Sequence, residues 1–278
     1  MPSYVLVLIA TVLATLAAAG IVLYVYLRGQ GCCYVGRTKG GLTWVHDDWH
    51  VMGERIRVLE VGGTYQSATY LDERWANPVF PYHLLFDHLF DAWPQGDGPR
   101  SVAVLGGGGY AIPKHLVAHH PQIARVDVVE IDPAIEGIAR EYFFLDRLEE
   151  ADHAAGRLHL HIADALTWLE RSSDRFDVIV NDCFSALTPE ATLMTIEGIR
   201  VINARLNDGG LYLTNVVSAL EGPDANTLYT LIGALRKSFA HVWVYPCSPD
   251  YPSSKDNNVV VASNARHDFK DAWEWPES

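Results

Sequence analysis

VAVLGGGGYAIPKHL, Val102–Leu116, joins a short apolar run to four consecutive glycines and then to a stretch with helical spacing. Glycine costs conformational entropy and contributes no packing, so the backbone there either turns sharply or is closely approached by something else. Strand, glycine turn and helix form the arrangement in which a cofactor lies against a helix N-terminus. Backbone N–H groups and the positive end of the helix dipole are presented there. A tight turn alone would also use glycines, so the rest of the chain must decide.

The next strand pattern, VDVVEIDP, reaches Glu130, 24 residues past Gly106. An acid closing the second strand, about twenty residues after the glycines, accepts the ribose hydroxyls of a nucleotide-like ligand. GGGGY is not the GxGxxG spacing, and no Lys-Ser or Lys-Thr follows, which excludes a P-loop. Asp164 in HIADAL closes a third strand and opens a helix. It is an N-cap by position, and it also faces the crevice where a carboxylate can accept from an adenine amino group. Asp182 in VIVNDCFS closes a fourth, where a substrate would arrive. Four successive strands thus end in Gly, Glu, Asp and Asp at the carboxyl edge, where open α/β sheets bind ligands.

The wider pattern agrees. Apolar strand candidates at 101–106, 125–132, 157–164, 176–182, 210–217, 241–246 and 257–263 alternate with helical stretches at 110–119, 133–142, 164–171, 189–205 and 225–238. Such alternation predicts a mostly parallel, doubly wound α/β sheet, seven-stranded and Rossmann-like. No helical pattern separates the last two strands, which predicts an antiparallel edge strand.

Upstream, Arg55–Gly62 and Thr64–Glu73 read as a hairpin turning at Gly62–Gly63. Arg28–Gly41 is Gly-rich and polar and reads as a tether. Val5–Leu27 is uncharged and apolar, long enough to cross a hydrocarbon core of about 30 Å, and too long for a cleaved signal peptide. Arg28, Arg37 and Lys39 follow it, so the positive-inside rule expects a single-pass anchor in the cell membrane with the remainder cytoplasmic. The expected division is an anchor over 4–28, a linker over 29–41, a β unit over 42–75 and the Rossmann-like domain over 76–278.

At 278 residues, with 49 % hydrophobic and 20 % charged side chains, the chain has the composition of a globular protein. A net charge of −13 argues against nucleic acid as a partner. Cys32 and Cys33 are adjacent and cannot easily bridge, and Cys183 and Cys247 complete no CxxC or His/Cys ligand spacing, so neither a disulfide framework nor a metal is expected.

VLGGGGYAIPKHL, VDVVEIDPAI, ADALTWL and FDVIVNDCFSALTPEATLMTIEGI together resemble the spermidine synthase (polyamine aminopropyltransferase) family, and most closely its divergent, membrane-linked bacterial branch. The likeness covers about Val58 to Ser263. It implies a transferase of the S-adenosylmethionine-dependent fold that moves an aminopropyl group from decarboxylated S-adenosylmethionine to a small-molecule amine in polyamine biosynthesis, with subunits paired as a homodimer. By the same resemblance Gln66 contacts the methionine-derived part of the co-substrate, and Gly106, Gly107, Gly108 and Gly109 form the floor beneath it. Glu130 would hold the ribose and Asp164 the adenine. Asp182 would be the general base, Tyr82 would line the active site, and His83 and Ser185 would face the substrate. On the residues alone, His83, His88, His159 and His161 read as surface or packing residues rather than ligands.

Two positions depart from the family pattern. Its Gly-Gly-Gly-Asp-Gly fingerprint places an acid where this chain has Gly109. Its Asp-Ser-Ser-Asp-Pro motif is here Asp182-Cys183-Phe184-Ser185-Ala186. A charge-assisted hydrogen bond to an ammonium contributes about 1.5–3 kcal/mol, so each missing acid removes roughly tenfold or more in affinity. Losing the acid at Gly109 also removes repulsion against the carboxylate of intact S-adenosylmethionine. Two alternatives follow: an S-adenosylmethionine-dependent methyltransferase on the same fold, and a non-catalytic membrane-tethered cofactor-binding protein.

Overall fold

The protein is described here by a computed structural model covering residues 3–29, 31–50, 52–93, 98–152, 155–185, 188–189 and 192–274. Helix α1 (Ser3–Gly29) contains no buried residue. Its 27 residues give a rod of about 40 Å, and its composition is apolar enough to cross a membrane.

The stretch read as a tether is instead a strand. β1 (Cys32–Thr38) pairs antiparallel with β2 (Gly41–Trp49), in the register Val35 to Trp44 and Arg37 to Leu42. β3 (Arg55–Val61) and β4 (Thr64–Tyr70) complete a four-stranded antiparallel sheet in chain order. The expected hairpin is therefore the second half of a larger unit. Gly62 and Gly63 make its turn with φ of +61° and +82°, the left-handed pair that a two-residue hairpin loop requires.

α2 (Pro81–Leu85) runs directly into a 3₁₀ segment, Phe86–Ala92. The central sheet follows: β5 (Ser101–Leu105), α3 (Ala111–His119), β6 (Arg125–Glu130), α4 (Pro133–Tyr142), α5 (Leu145–Asp152), β7 (Leu158–Ile162), α6 (Ala165–Arg171) and β8 (Phe176–Asn181). The two-residue strands β9 (Phe184–Ser185) and β10 (Thr188–Pro189) pair with each other. After them come α7 (Ile196–Ala204), β11 (Leu206–Ser218), α8 (Asn226–Leu235), β12 (His241–Pro246), β13 (Asp256–Ser263) and β14 (Trp273–Glu274).

The strand order is β14-β12-β13-β11-β8-β5-β6-β7, with β11, β8, β5, β6 and β7 parallel. All seven expected strands are present, and β14 makes an eighth. The antiparallel strand β13 is not at the edge; it is inserted between β11 and β12, and β14 closes that side. The helix expected over 189–205 begins only at Ile196, where Thr195 caps it by accepting from Gly198 N; Thr188–Pro189 form β10 and 192–195 a turn.

The sheet is apolar on both faces. Val102, Val104 and Val128 pack with Tyr110, Ile138 and Phe143 on one side. Ala103, Leu105 and Val129 pack with Leu169, Ile199 and Leu228 on the other. That two-sided burial is why the parallel strands read as unbroken apolar runs. It also leaves their carboxyl ends as the place where polar side chains can meet.

Candidate active site

The chain order of the parallel strands reverses between β5 and β8, and a crevice opens above their carboxyl ends. The two backbones touch there. Asp182 N donates to Leu105 O at 2.8 Å, and a Cβ on Gly106 would lie 2.7 Å from the Asp182 carbonyl oxygen. Gly106 also has φ +95°, so both space and conformation require glycine at this position.

Glu130, at the end of β6, is buried and grips the glycine turn. Its Oε2 accepts from Gly107 N at 3.0 Å and Gly108 N at 3.1 Å, and its Oε1 accepts from Asp132 N at 2.9 Å. Asp132 caps α4 by accepting from Ala134 N at 2.9 Å, and its other oxygen accepts the backbone N–H of Lys39. The Lys39 ammonium donates to Ile131 O at 2.6 Å. The β1–β2 turn is thus tied to the start of α4, and Thr38, Lys39 and Gly40 become part of the cavity wall. Asp164 caps α6, accepting from Thr167 N at 2.8 Å, and remains exposed at the rim.

The opposite end is held more loosely. The Tyr82 hydroxyl lies 3.4 Å from both carboxylate oxygens of Asp182, and His83 Nε2 is 3.6 Å from Oδ2. Burial, and then the neighbouring Asp182 carboxylate, push the Tyr82 phenol well above its ordinary pKa, so it stays protonated and able to donate. The His83 side chain is only 2 % exposed, yet neither ring nitrogen has a hydrogen-bond partner among the described residues. A buried imidazole left in that condition is costly unless a ligand completes it.

One cavity of about 660 Å³ contains Gln66, His83, Gly106, Gly107, Gly108, Glu130, Asp164 and Asp182 in its wall. That is within the roughly 300–1,000 Å³ of small-molecule sites. Tyr82 stands behind Asp182. Gly109, expected on the cofactor floor, is turned elsewhere: a Cβ there would meet Ser67 Oγ at 2.6 Å and the Phe143 ring at 2.9 Å. The backbone of Ser185 pairs with Thr188, and its side chain falls outside the described set. His161 is a packing residue as read, its Nε2–H donating to buried Asp127 at 2.8 Å, and His88 stacks on Tyr245 at 4.4 Å.

Sequence reasoning missed Asp132 and the Thr38–Gly40 wall. The Asp-Pro step was a legible helix start, and the Lys-Gly-Gly run between alternating residues was a legible turn. Among the described residues the wall carries four carboxylates, Glu130, Asp132, Asp164 and Asp182, against one ammonium, Lys39. Such a cavity favours a cationic ligand.

The spermine/spermidine synthase domain matches residues 80–271. The chain belongs to that family. The polyamine aminopropyltransferase of Sodalis glossinidius is 29 % identical over 157 residues, which are 56 % of this chain and 50 % of that one. The chain spans about half the length of the curated relatives it matches. A probable spermidine synthase from Corynebacterium glutamicum superposes with a TM-score of 0.68 at 20 % identity, covering 84 % of this chain and 80 % of that one. Human methyltransferase-like protein 13, in complex with SAH, superposes with a TM-score of 0.54 at 18 % identity, covering 69 % and 85 %. At such identities the likeness is one of fold, and that fold is shared by both kinds of transferase.

Proposed function

We propose that the cavity binds decarboxylated S-adenosylmethionine and that the protein transfers its aminopropyl group to a small amine. The observation that carries this reading is the Asp182–Tyr82–His83 group beside the glycine turn, in a cavity whose charge is negative.

The co-substrate supplies an electrophilic carbon next to a sulfonium. The amine nitrogen attacks, the carbon–nitrogen bond forms, the carbon–sulfur bond breaks with its electron pair passing to sulfur, and the amine's proton goes to the Asp182 carboxylate. Asp182 also draws the cationic acceptor toward the carbon. Tyr82 donates to Asp182 and fixes its orientation while keeping its own proton. His83 faces the same carboxylate and is placed to complete the acceptor's contacts. Glu130 and Asp164 would take the ribose and adenine, and Gln66 the methionine-derived chain. Gly109 has no room for the family's acid, so the ammonium of the aminopropyl group relies on the cavity's summed negative charge. α1 would anchor the protein, with the basic residues after it keeping this domain cytoplasmic.

The second reading, methyl transfer from intact S-adenosylmethionine, is favoured by the position of Gly109 alone. Product analysis separates the two. Full-length protein in detergent, given decarboxylated S-adenosylmethionine and a panel of diamines, is expected to release methylthioadenosine and add C₃H₇N to one acceptor. Release of S-adenosylhomocysteine from the intact form would contradict the proposal, as would no turnover with any amine.

A further inference from the structure

Away from the cavity, three side chains from separate parts of the chain bring their ligand atoms together. Asp87 is in the 3₁₀ segment that continues α2, His115 is on α3, and His120 caps the end of α3. His115 Nε2 is 2.8 Å from Asp87 Oδ1, His120 Nε2 is 3.5 Å from the same oxygen, and the two Nε2 atoms are 3.4 Å apart. We propose that Asp87, His115 and His120 bind a divalent transition-metal ion of the Zn²⁺ type.

The geometry fits an ion. A triangle with those sides has a circumscribed radius of about 1.9 Å, so an ion at the usual ~2.0–2.1 Å from each atom sits about 0.8 Å out of their plane. That leaves one open side for water, as in three-ligand tetrahedral sites. Two imidazoles with one carboxylate suit a borderline first-row ion better than Mg²⁺ or Ca²⁺, which take oxygen ligands. All three side chains are partly buried, at 38 %, 13 % and 18 % exposed for Asp87, His115 and His120. They are therefore held in place yet reachable, and His115 also borders an open groove of about 440 Å³.

The supporting residues are present too. Phe90 stacks on His120 with ring centroids 3.9 Å apart and 15° between planes, fixing the imidazole. The Gln122 amide is 3.5 Å from His120 Nδ1. Turned to present its carbonyl, it accepts the Nδ1–H that metal on Nε2 requires, the usual outer partner of a ligating histidine.

The ion would clasp two elements of the site already described. Asp87 is continuous with the helix carrying Tyr82 and His83, and α3 is the helix that follows the glycine turn. An ion there would fix the spacing between the Tyr82–His83 helix and the glycine floor without touching a substrate. The spacing His115–His120 carries no familiar metal signature, which is why the sequence did not suggest it.

The test is metal binding by full-length protein in detergent, stripped with chelator. Co²⁺ is titrated while the visible d–d bands are recorded, and Zn²⁺ is then added in a calorimeter. One equivalent of Zn²⁺ per chain is expected, displacing Co²⁺, with a rise in melting temperature. His120→Ala and, separately, Asp87→Asn should each weaken binding at least ~tenfold, while His119→Ala and Asp182→Asn should leave it unchanged. Circular dichroism of the stripped variants shows that they are folded. No binding, or binding unaltered in both His120→Ala and Asp87→Asn, would overturn the proposal.

Discussion

The two ends of the cavity are built differently. At the Glu130 end, both carboxylate oxygens already accept from backbone donors at 2.9–3.1 Å, and Asp132, two residues on, repeats the pattern. At the Asp182 end the contacts are 3.4–3.6 Å, and His83 is buried without a hydrogen bond among the described residues. The first end is held in place before any ligand arrives, with Glu130 Oε1 still able to accept a further donor. The second keeps capacity in reserve, as a group must if it is to take a proton and hold a changing partner. Binding and chemistry are therefore separable by mutation.

The largest effect is expected from Asp182→Asn. It keeps the shape of the side chain and removes the proton acceptor, so kcat should fall about 10²–10⁴-fold while co-substrate affinity changes by less than about threefold. Steady-state kinetics with direct binding measures both. Equal losses in the two would erase the distinction between the ends.

Glu130→Ala should do the reverse. It leaves the N–H groups of Gly107, Gly108 and Asp132 without their acceptor, and each charge-assisted bond is worth about 1.5–3 kcal/mol. Co-substrate affinity should fall at least ~tenfold and stability by about 3 kcal/mol, read from titration and from thermal unfolding. Unchanged stability would mean that the glycine turn does not depend on the carboxylate.

The smallest effect probes the floor of the rigid end. Lys114, on α3, is 1 % exposed and donates to Thr69 Oγ1 at 3.0 Å and Phe143 O at 3.1 Å. Burial lowers its pKa to about 7. The unfolded chain retains a lysine pKa near 10.4, so between these values the unfolded state binds the extra proton. Stability should rise with pH from about 7 towards 10, by at most ~1.4 kcal/mol per unit. Lys114→Met should lack that rise when the two proteins are compared at pH 7 and pH 9. Parallel curves would place water beside the ammonium.

Much of this arrangement was legible in the sequence where local chemistry and tertiary role coincide. β5, β6 and β8 are largely apolar because both faces are covered, and each ends where a glycine or an acid must stand. Strand order was not legible in the same way: nothing local to Asp256–Ser263 says that it enters between β11 and β12, since that depends on which edge is free when it forms. The β1–β2 unit is not legible locally because Gly36, Lys39, Gly40 and Gly41 carry no apolar signal; the turn is held through the backbone N–H of Lys39 by Asp132, 93 residues away. Gly109 shows the limit of a family pattern. The position aligns with an acid, but here Ser67 and Phe143 occupy the space an acid would need.

On the proposed reading, this negatively charged cavity takes the decarboxylated form of S-adenosylmethionine. Calorimetric titration of the full-length protein with the decarboxylated and the intact forms, side by side, tests it most directly. A carboxylate brought among Glu130, Asp132, Asp164 and Asp182 is repelled, so the decarboxylated form should bind at least ~tenfold more tightly. Tighter binding of the intact form would contradict the account and make this a methyltransferase site.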